Sequence, residues 1–106
     1  MAGKATVART TFGAIRRNGQ KFEIIVEIGQ PYRCEDSPEQ WACPVSLEGL
    51  YGHISDARGL DAVQALCLAV CSAFDLLSEF KANGGRLLLK DGGEVPLEAY
   101  ALTFAQ

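Results

Sequence analysis

The sequence predicts an α+β fold of two layers, a mainly antiparallel sheet packed on one long helix, in the order β-β-β-α-β with a further strand at the end. Period-two alternation runs through the first half of the chain, the mark of strands with one buried face. A three- and four-residue apolar period then occupies about 61–83, the mark of an amphipathic helix. Strands grouped before one long helix argue for segregated layers rather than a parallel α/β sheet. The 106 residues make a single small domain over 1–106. Apolar residues at 48% and charged residues at 22% match globular averages and exclude a disordered tail or a fibre.

A basic hairpin is expected over about 4–29. Thr6 to Phe12 is rich in β-branched residues, and Phe22, Ile24, Val26 and Ile28 alternate with Lys21, Glu23, Ile25 and Glu27. Asn18-Gly19 between them supplies the positive φ that a tight turn needs. Gln30 to Glu39 carries Pro31, Asp36, Ser37 and Pro38 and reads as an exposed loop. A third strand is expected from Gln40 to Leu47, with Trp41, Cys43, Val45 and Leu47 on one face. Pro44 lacks a backbone donor, so that strand is expected at an edge or bulged there. Gly49 to Gly59, with three glycines, reads as a second loop.

Asp61 is the expected helix N-cap, with Gln64 completing a capping box. Val63, Leu66, Cys67, Val70, Phe74 and Leu77 form one apolar stripe, of which Leu66, Val70, Phe74 and Leu77 are the expected buried set. Ala62, Ala65, Ala69 and Ala73 fill the other faces, so the helix is expected to be covered on more than one side, by its own sheet or by a second subunit. Asn83-Gly84-Gly85 ends it. A C-terminal strand and tail are expected over 86–106. Leu87, Leu88 and Leu89 alternate faces, Pro96 marks an edge, and Tyr100, Leu102 and Phe104 alternate. An apolar edge of this kind invites self-association unless the tail folds over it.

The N-terminus has no apolar run of signal-peptide length. Asp61, Gln64, Ser72 and Asp75 interrupt the stretch from Leu60 to Leu77, which is therefore expected to be no membrane span. A cytoplasmic chain without membrane attachment is the resulting expectation. Cys34, Cys43, Cys67 and Cys71 lack zinc-ligand spacing, and His53 is the single histidine. Reduced thiols without metal are expected, with Cys67 and Cys71 buried as small hydrophobes. No cofactor motif, phosphate loop or nucleophile elbow occurs.

Charge is uneven. Residues 1–21 hold five cations and no acid, whereas the other 85 hold five cations and thirteen acids. With a pI near 5.0, and with Phe12 and Phe22 beside the cations reading as core, the pattern argues against nucleic acid. Glu35, Asp36 and Glu39 form an acidic partner surface on the first loop, suited to a basic partner. If the chain carries a small-molecule or catalytic site, the residue types for it gather in the second loop: His53, Ser55, Asp56 and Arg58. Their spacing assembles no known mechanism, and loops collect such residues in any case.

Trp41-x-Cys43, the Gly49 turn and Asp61-x-x-Gln64-Ala65-Leu66-x-Leu68-Ala69 resemble a group of small uncharacterised bacterial domains, over about residues 5 to 90. The resemblance implies a bacterial, cytoplasmic domain and no assigned activity. Small proteins of similar build act as immunity proteins that block a toxin, a likeness of fold alone. The expected function is a non-enzymatic protein-interaction domain, of immunity type or a homodimer. The alternative is a small enzyme or ligand-binding protein using Gly52 to Asp61.

Overall fold

The computed structural model describes residues 5–100. Strands β1 (Thr6–Ile15) and β2 (Lys21–Gly29) form the expected hairpin. Its turn places Gly19 at φ 91°, and Asn18 Oδ1 accepts from the Gln20 N–H at 3.0 Å. A short β3 (Tyr32–Arg33), then β4 (Trp41–Glu48) and β5 (Gly52–Gly59), lead into helix α1 (Ala62–Ala82) and β6 (Arg86–Leu88). All strand pairs are antiparallel. β4 is flanked by β5 on one side and by β2 and β3, end to end, on the other. β1 lies between β2 and β6. The α+β architecture of one sheet on one long helix is therefore as the sequence predicts.

Two elements differ from expectation. The stretch read as a second loop is the eight-residue strand β5. Its sequence, Gly-His-Ile-Ser-Asp-Ala-Arg-Gly, has little β propensity. It is held extended by pairing with β4, and only Ile54 and Ala57 reach the core. The Gln30–Glu39 loop contains the two residues of β3, paired with Trp41 and Ala42. Pro44 is indeed beside a bulge, but in the middle of the sheet rather than at its edge. The turn before β5 is fixed by Gly49. Its φ is 100°, and a Cβ there would stand 2.1 Å from the Glu23 carbonyl oxygen.

The helix begins as the sequence predicts. Asp61 Oδ1 accepts from the Gln64 N–H at 2.8 Å, and Gln64 Oε1 accepts from the Leu60 N–H at 2.6 Å. Its buried face is rotated from the expected one. Ala65, Ala69, Ala73 and Leu77 are fully buried, whereas Leu66, Val70 and Phe74 are half-buried. The physical reason is close approach. Alanine lets the helix backbone settle onto β4 and β5, and the larger side chains wedge down its flank beside Phe12, Val26 and Leu47.

Val95 is buried after Glu94 bridges to Leu88, and Leu97–Tyr100 forms a single 3-10 turn where a strand was expected. The ring of Tyr100 stacks on Phe74 at 4.6 Å between centroids. Leu102 and Phe104 lie outside the described residues. With mean hydropathy 1.5 over an 18-residue window, α1 is long and apolar enough to cross a membrane by length and composition alone, its four interruptions notwithstanding. One face of it is packed on the sheet.

Two stability measurements check this packing. Ala69→Leu is expected to cost about 1–3 kcal/mol by overpacking the helix–sheet contact, read by denaturant titration. Asp61→Ala is expected to cost about 0.5–2 kcal/mol through loss of the cap, and Asp61→Asn to restore most of it.

Candidate functional site

Pro44 shapes the region where the candidate polar residues meet. Between the pairs Cys43–Ala57 and Val45–Ile54, β4 contributes one residue, Pro44, and β5 contributes two, Ser55 and Asp56. This bulge turns part of β5 out of register and re-aims Asp56. On the other flank of β4, residues 29–31 separate the pairings of β2 and β3. Gly29 fits there because it has no side chain: a Cβ would lie 2.9 Å from Pro44 Cγ.

Tyr32, Ala42 and Arg58 are cross-strand partners in one row, and cross-strand partners share a sheet face. The row lies opposite the face that carries Trp41, Cys43, Val45 and Leu47 to the helix. Across it, the Tyr32 hydroxyl donates to Asp56 Oδ2 at 2.5 Å. His53 Nε2 stands 3.5 Å from Asp56 Oδ1. The Asp56 side chain is only 17% exposed, whereas that of His53 is 68% exposed. Arg58 reaches Asp36 at 4.0 Å and donates to Gln40 Oε1 at 3.2 Å.

The two groups of candidate residues, separate in sequence, therefore meet. His53, Asp56 and Arg58 come from a strand, not a loop, and Arg58 ties them to Asp36 of the acidic surface. Glu35 joins Tyr32, Arg33, Cys34, Asp36 and Arg58 around a depression of about 570 Å³. Glu39 and Ser55 are exposed and stand outside that lining. Tyr32 is the member sequence reasoning missed. The signal available was an aromatic residue after Pro31, inside a stretch read as loop.

Chemically, the cluster is a carboxylate held by a phenol on one oxygen and faced by an imidazole on the other. It can orient a polar or cationic group by hydrogen bonding. The nearby thiol is no activated nucleophile. Burial pushes the Cys43 thiol above its ordinary value, and the negative charge of Asp56 raises it further. Cys43 Sγ sits 3.2 Å from the Gly29 carbonyl oxygen, to which it donates. The other thiols correct an expectation. Cys67 is exposed and Cys71 half-buried, because the helix turns its alanines to the sheet. Cys34 and Cys43 are the buried pair, and all four are unpaired.

A second surface is apolar. Leu60 is 74% exposed, Val63 69% and Leu68 42%, and Cys67 lies between them on the outer side of α1. The exposed acids Asp61, Asp75 and Glu79 border this arc.

Residues 8–97 match DUF6968, a domain of unknown function. The chain belongs to this family. The match takes in β1 from Ala8 onward, every later strand and the whole of α1, so Pro44, the polar cluster and the helix arc all fall inside the family's domain. No curated protein matches the chain, and no solved structure does.

Two measurements check the thiol chemistry. Under native conditions an alkylating reagent is expected to modify Cys67 first and Cys43 only on unfolding, read by peptide mass mapping. The folded chain also holds the Cys43 proton more tightly than the unfolded chain does. Its contribution to stability is therefore complete below the ordinary thiol range, near about pH 8.5, and is lost as pH rises through the raised value. Cys43→Ala is expected to flatten the fall of melting temperature above that pH.

Proposed function

We propose that this chain is a non-enzymatic protein-interaction domain of the bacterial cytoplasm, of the immunity type that blocks a toxin by binding it. The observation that carries the reading is the outer arc of α1. Leu60, just before the helix, and Val63, Cys67 and Leu68 on its outer side are exposed apolar side chains, and the helix's other face is already buried. Exposed apolar side chains gathered on the outer side of one element mark binding surfaces on globular domains.

Charge selects the partner. Asp61, Asp75 and Glu79 are exposed acids on the helix beside the arc, whereas Glu35, Asp36 and Glu39 lie with Arg58 away from it. An apolar arc with acids beside it fits a partner with an apolar patch flanked by cations, and it penalises pairing with a second acidic copy. The net charge of −3 acts in the same direction.

Coexpression with the products of neighbouring genes tests the reading. The intact chain is expected to rescue growth from one of them and to co-purify with it. Val63→Glu with Leu68→Glu is expected to lose both properties while shifting stability by less than about 1 kcal/mol, since both positions face solvent. Rescue that survives this double substitution removes the helix arc from the interface.

A second reading rests on the Tyr32–Asp56–His53 cluster and the depression beside it, which suit a small polar ligand. Asp56→Asn separates the two readings. It is expected to leave partner rescue intact if the helix arc is the working surface, and to abolish function if the cluster is.

A further inference from the structure

We propose that the end of the molecule where the β1–β2 turn meets the C-terminus of α1 is a binding site for a small phosphate ester, held by Arg16 and Arg17. A depression of about 320 Å³ opens there, lined by Arg16, Arg17, Asn18, Phe80, Asn83 and Gly85. Its size is that of a small-molecule pocket. Among these residues there are two cations and no acid.

The fold leaves both charges unanswered. Arg9 is paired with Glu27, Arg58 with Asp36 and Lys81 with Glu94. Among the described residues, neither Arg16 nor Arg17 has an ion pair or a hydrogen bond from its side chain. Lys21 and Arg86, the two cross-strand partners of Ile15 just before them, are likewise without an ion pair. Like charges thus gather at one end of a chain that has thirteen acids to ten cations. A depression lined by one sign of charge concentrates ligands of the other sign. The arginines are not needed as helix caps. The Glu79, Phe80 and Lys81 carbonyls already accept from the Asn83, Gly85 and Gly84 N–H groups, at 3.0, 3.0 and 3.1 Å.

Their stems are held while their donors stay available. The Arg16 guanidinium lies 4.3 Å over the Phe22 ring, and that ring meets Phe80 edge-on at 5.8 Å between centroids. Stacking occupies a face of the guanidinium and leaves its in-plane N–H groups for an acceptor. The Arg17 stem fills the space where Gly84 has no side chain. A Cβ there would stand 3.0 Å from Arg17 Cγ, and one on Gly85 would stand 2.4 Å from the Phe80 ring. The glycines that end the helix therefore also shape this wall. Restrained side chains lose less freedom when a ligand binds.

The chemistry on offer selects the ligand. A guanidinium is a planar fork of donors that fits phosphate oxygens in pairs. Two such forks match a doubly charged phosphate better than a single carboxylate. Asn18 Oδ1 is engaged by the Gln20 N–H, which leaves the Asn18 amide group as a further donor. The Phe80 ring gives an apolar wall for the carbon part of an ester. The site lies at the opposite end of α1 from Leu60 and Val63, so it stands or falls separately from the reading of the helix arc.

Nuclear magnetic resonance titration of the intact chain with phenyl phosphate, at constant ionic strength, tests it. Saturable shifts are expected at the Arg16 and Arg17 Nε–H and at the Asn18 and Asn83 side-chain amides, with inorganic phosphate and benzoate both binding more weakly. Arg16→Gln with Arg17→Gln is expected to weaken phenyl phosphate about tenfold or more while the other amide signals keep their positions. Arg17→Gln alone, at an exposed position, is expected to weaken it in the same direction. Shifts that do not saturate, or equal affinity in the variants and the parent chain, overturn the proposal. So does benzoate binding as tightly as phenyl phosphate, which assigns the arginines to a carboxylate. Tighter binding of a single-stranded oligonucleotide that also shifts Lys21 and Arg86 overturns it too, and assigns this end to nucleic acid.

Discussion

Close contact between the alanine stripe of α1 and the sheet is the constraint on which the rest of the structure depends. Ala65, Ala69 and Ala73 are fully buried, and their small size brings the helix backbone down onto β4 and β5. That approach decides which larger residues flank the seam and which are turned out. It also buries Leu77 and leaves Leu60, Val63 and Leu68 in water. The gain comes from dispersion and from apolar area removed from water, at about 25 cal/mol per Å². A stripe of leucines in the same positions would hold the helix farther off the sheet.

The second constraint is Pro44 in the centre of the sheet. A residue without an N–H cannot complete a regular ladder, and both neighbours of β4 depart from regular pairing beside it. The bulge in β5 brings Asp56 within reach of Tyr32 and His53. A backbone irregularity is thus converted into a polar cluster, and the same carboxylate adds to burial in raising the Cys43 thiol above its ordinary value. The order and chemistry of this region come from one imino acid and the glycine opposite it.

These two constraints place different surfaces on opposite sides of the molecule. The polar cluster lies on the sheet face away from α1, and the apolar arc lies on the outer side of α1. Burial of the arc by a partner carries a hydrophobic gain, whereas the cluster supplies direction through charge and hydrogen bonds. An interaction domain needs the first kind of surface for affinity, and a ligand site needs the second.

The sequence by itself determined the hairpin, the single helix with its Asp61 cap, the glycine stop and the α+β class, because each rests on local geometry. Turn residues, period and capping groups act within a few positions of one another. It also marked Pro44 as the place where strand pairing would be irregular. Only the tertiary structure decided that β5 is a strand, because Gly52 to Gly59 has little propensity of its own and is extended by the pairing that β4 offers. Only the fold decided which face of α1 is buried. Alanine, leucine and valine on several faces give a broad apolar period without a unique centre, and the sheet chose the side that packs closest. The meeting of Asp36 with Arg58, and of Tyr32 with Asp56, is likewise a product of register across β4. Residues more than twenty positions apart became neighbours through hydrogen-bonded strands that no local pattern encodes.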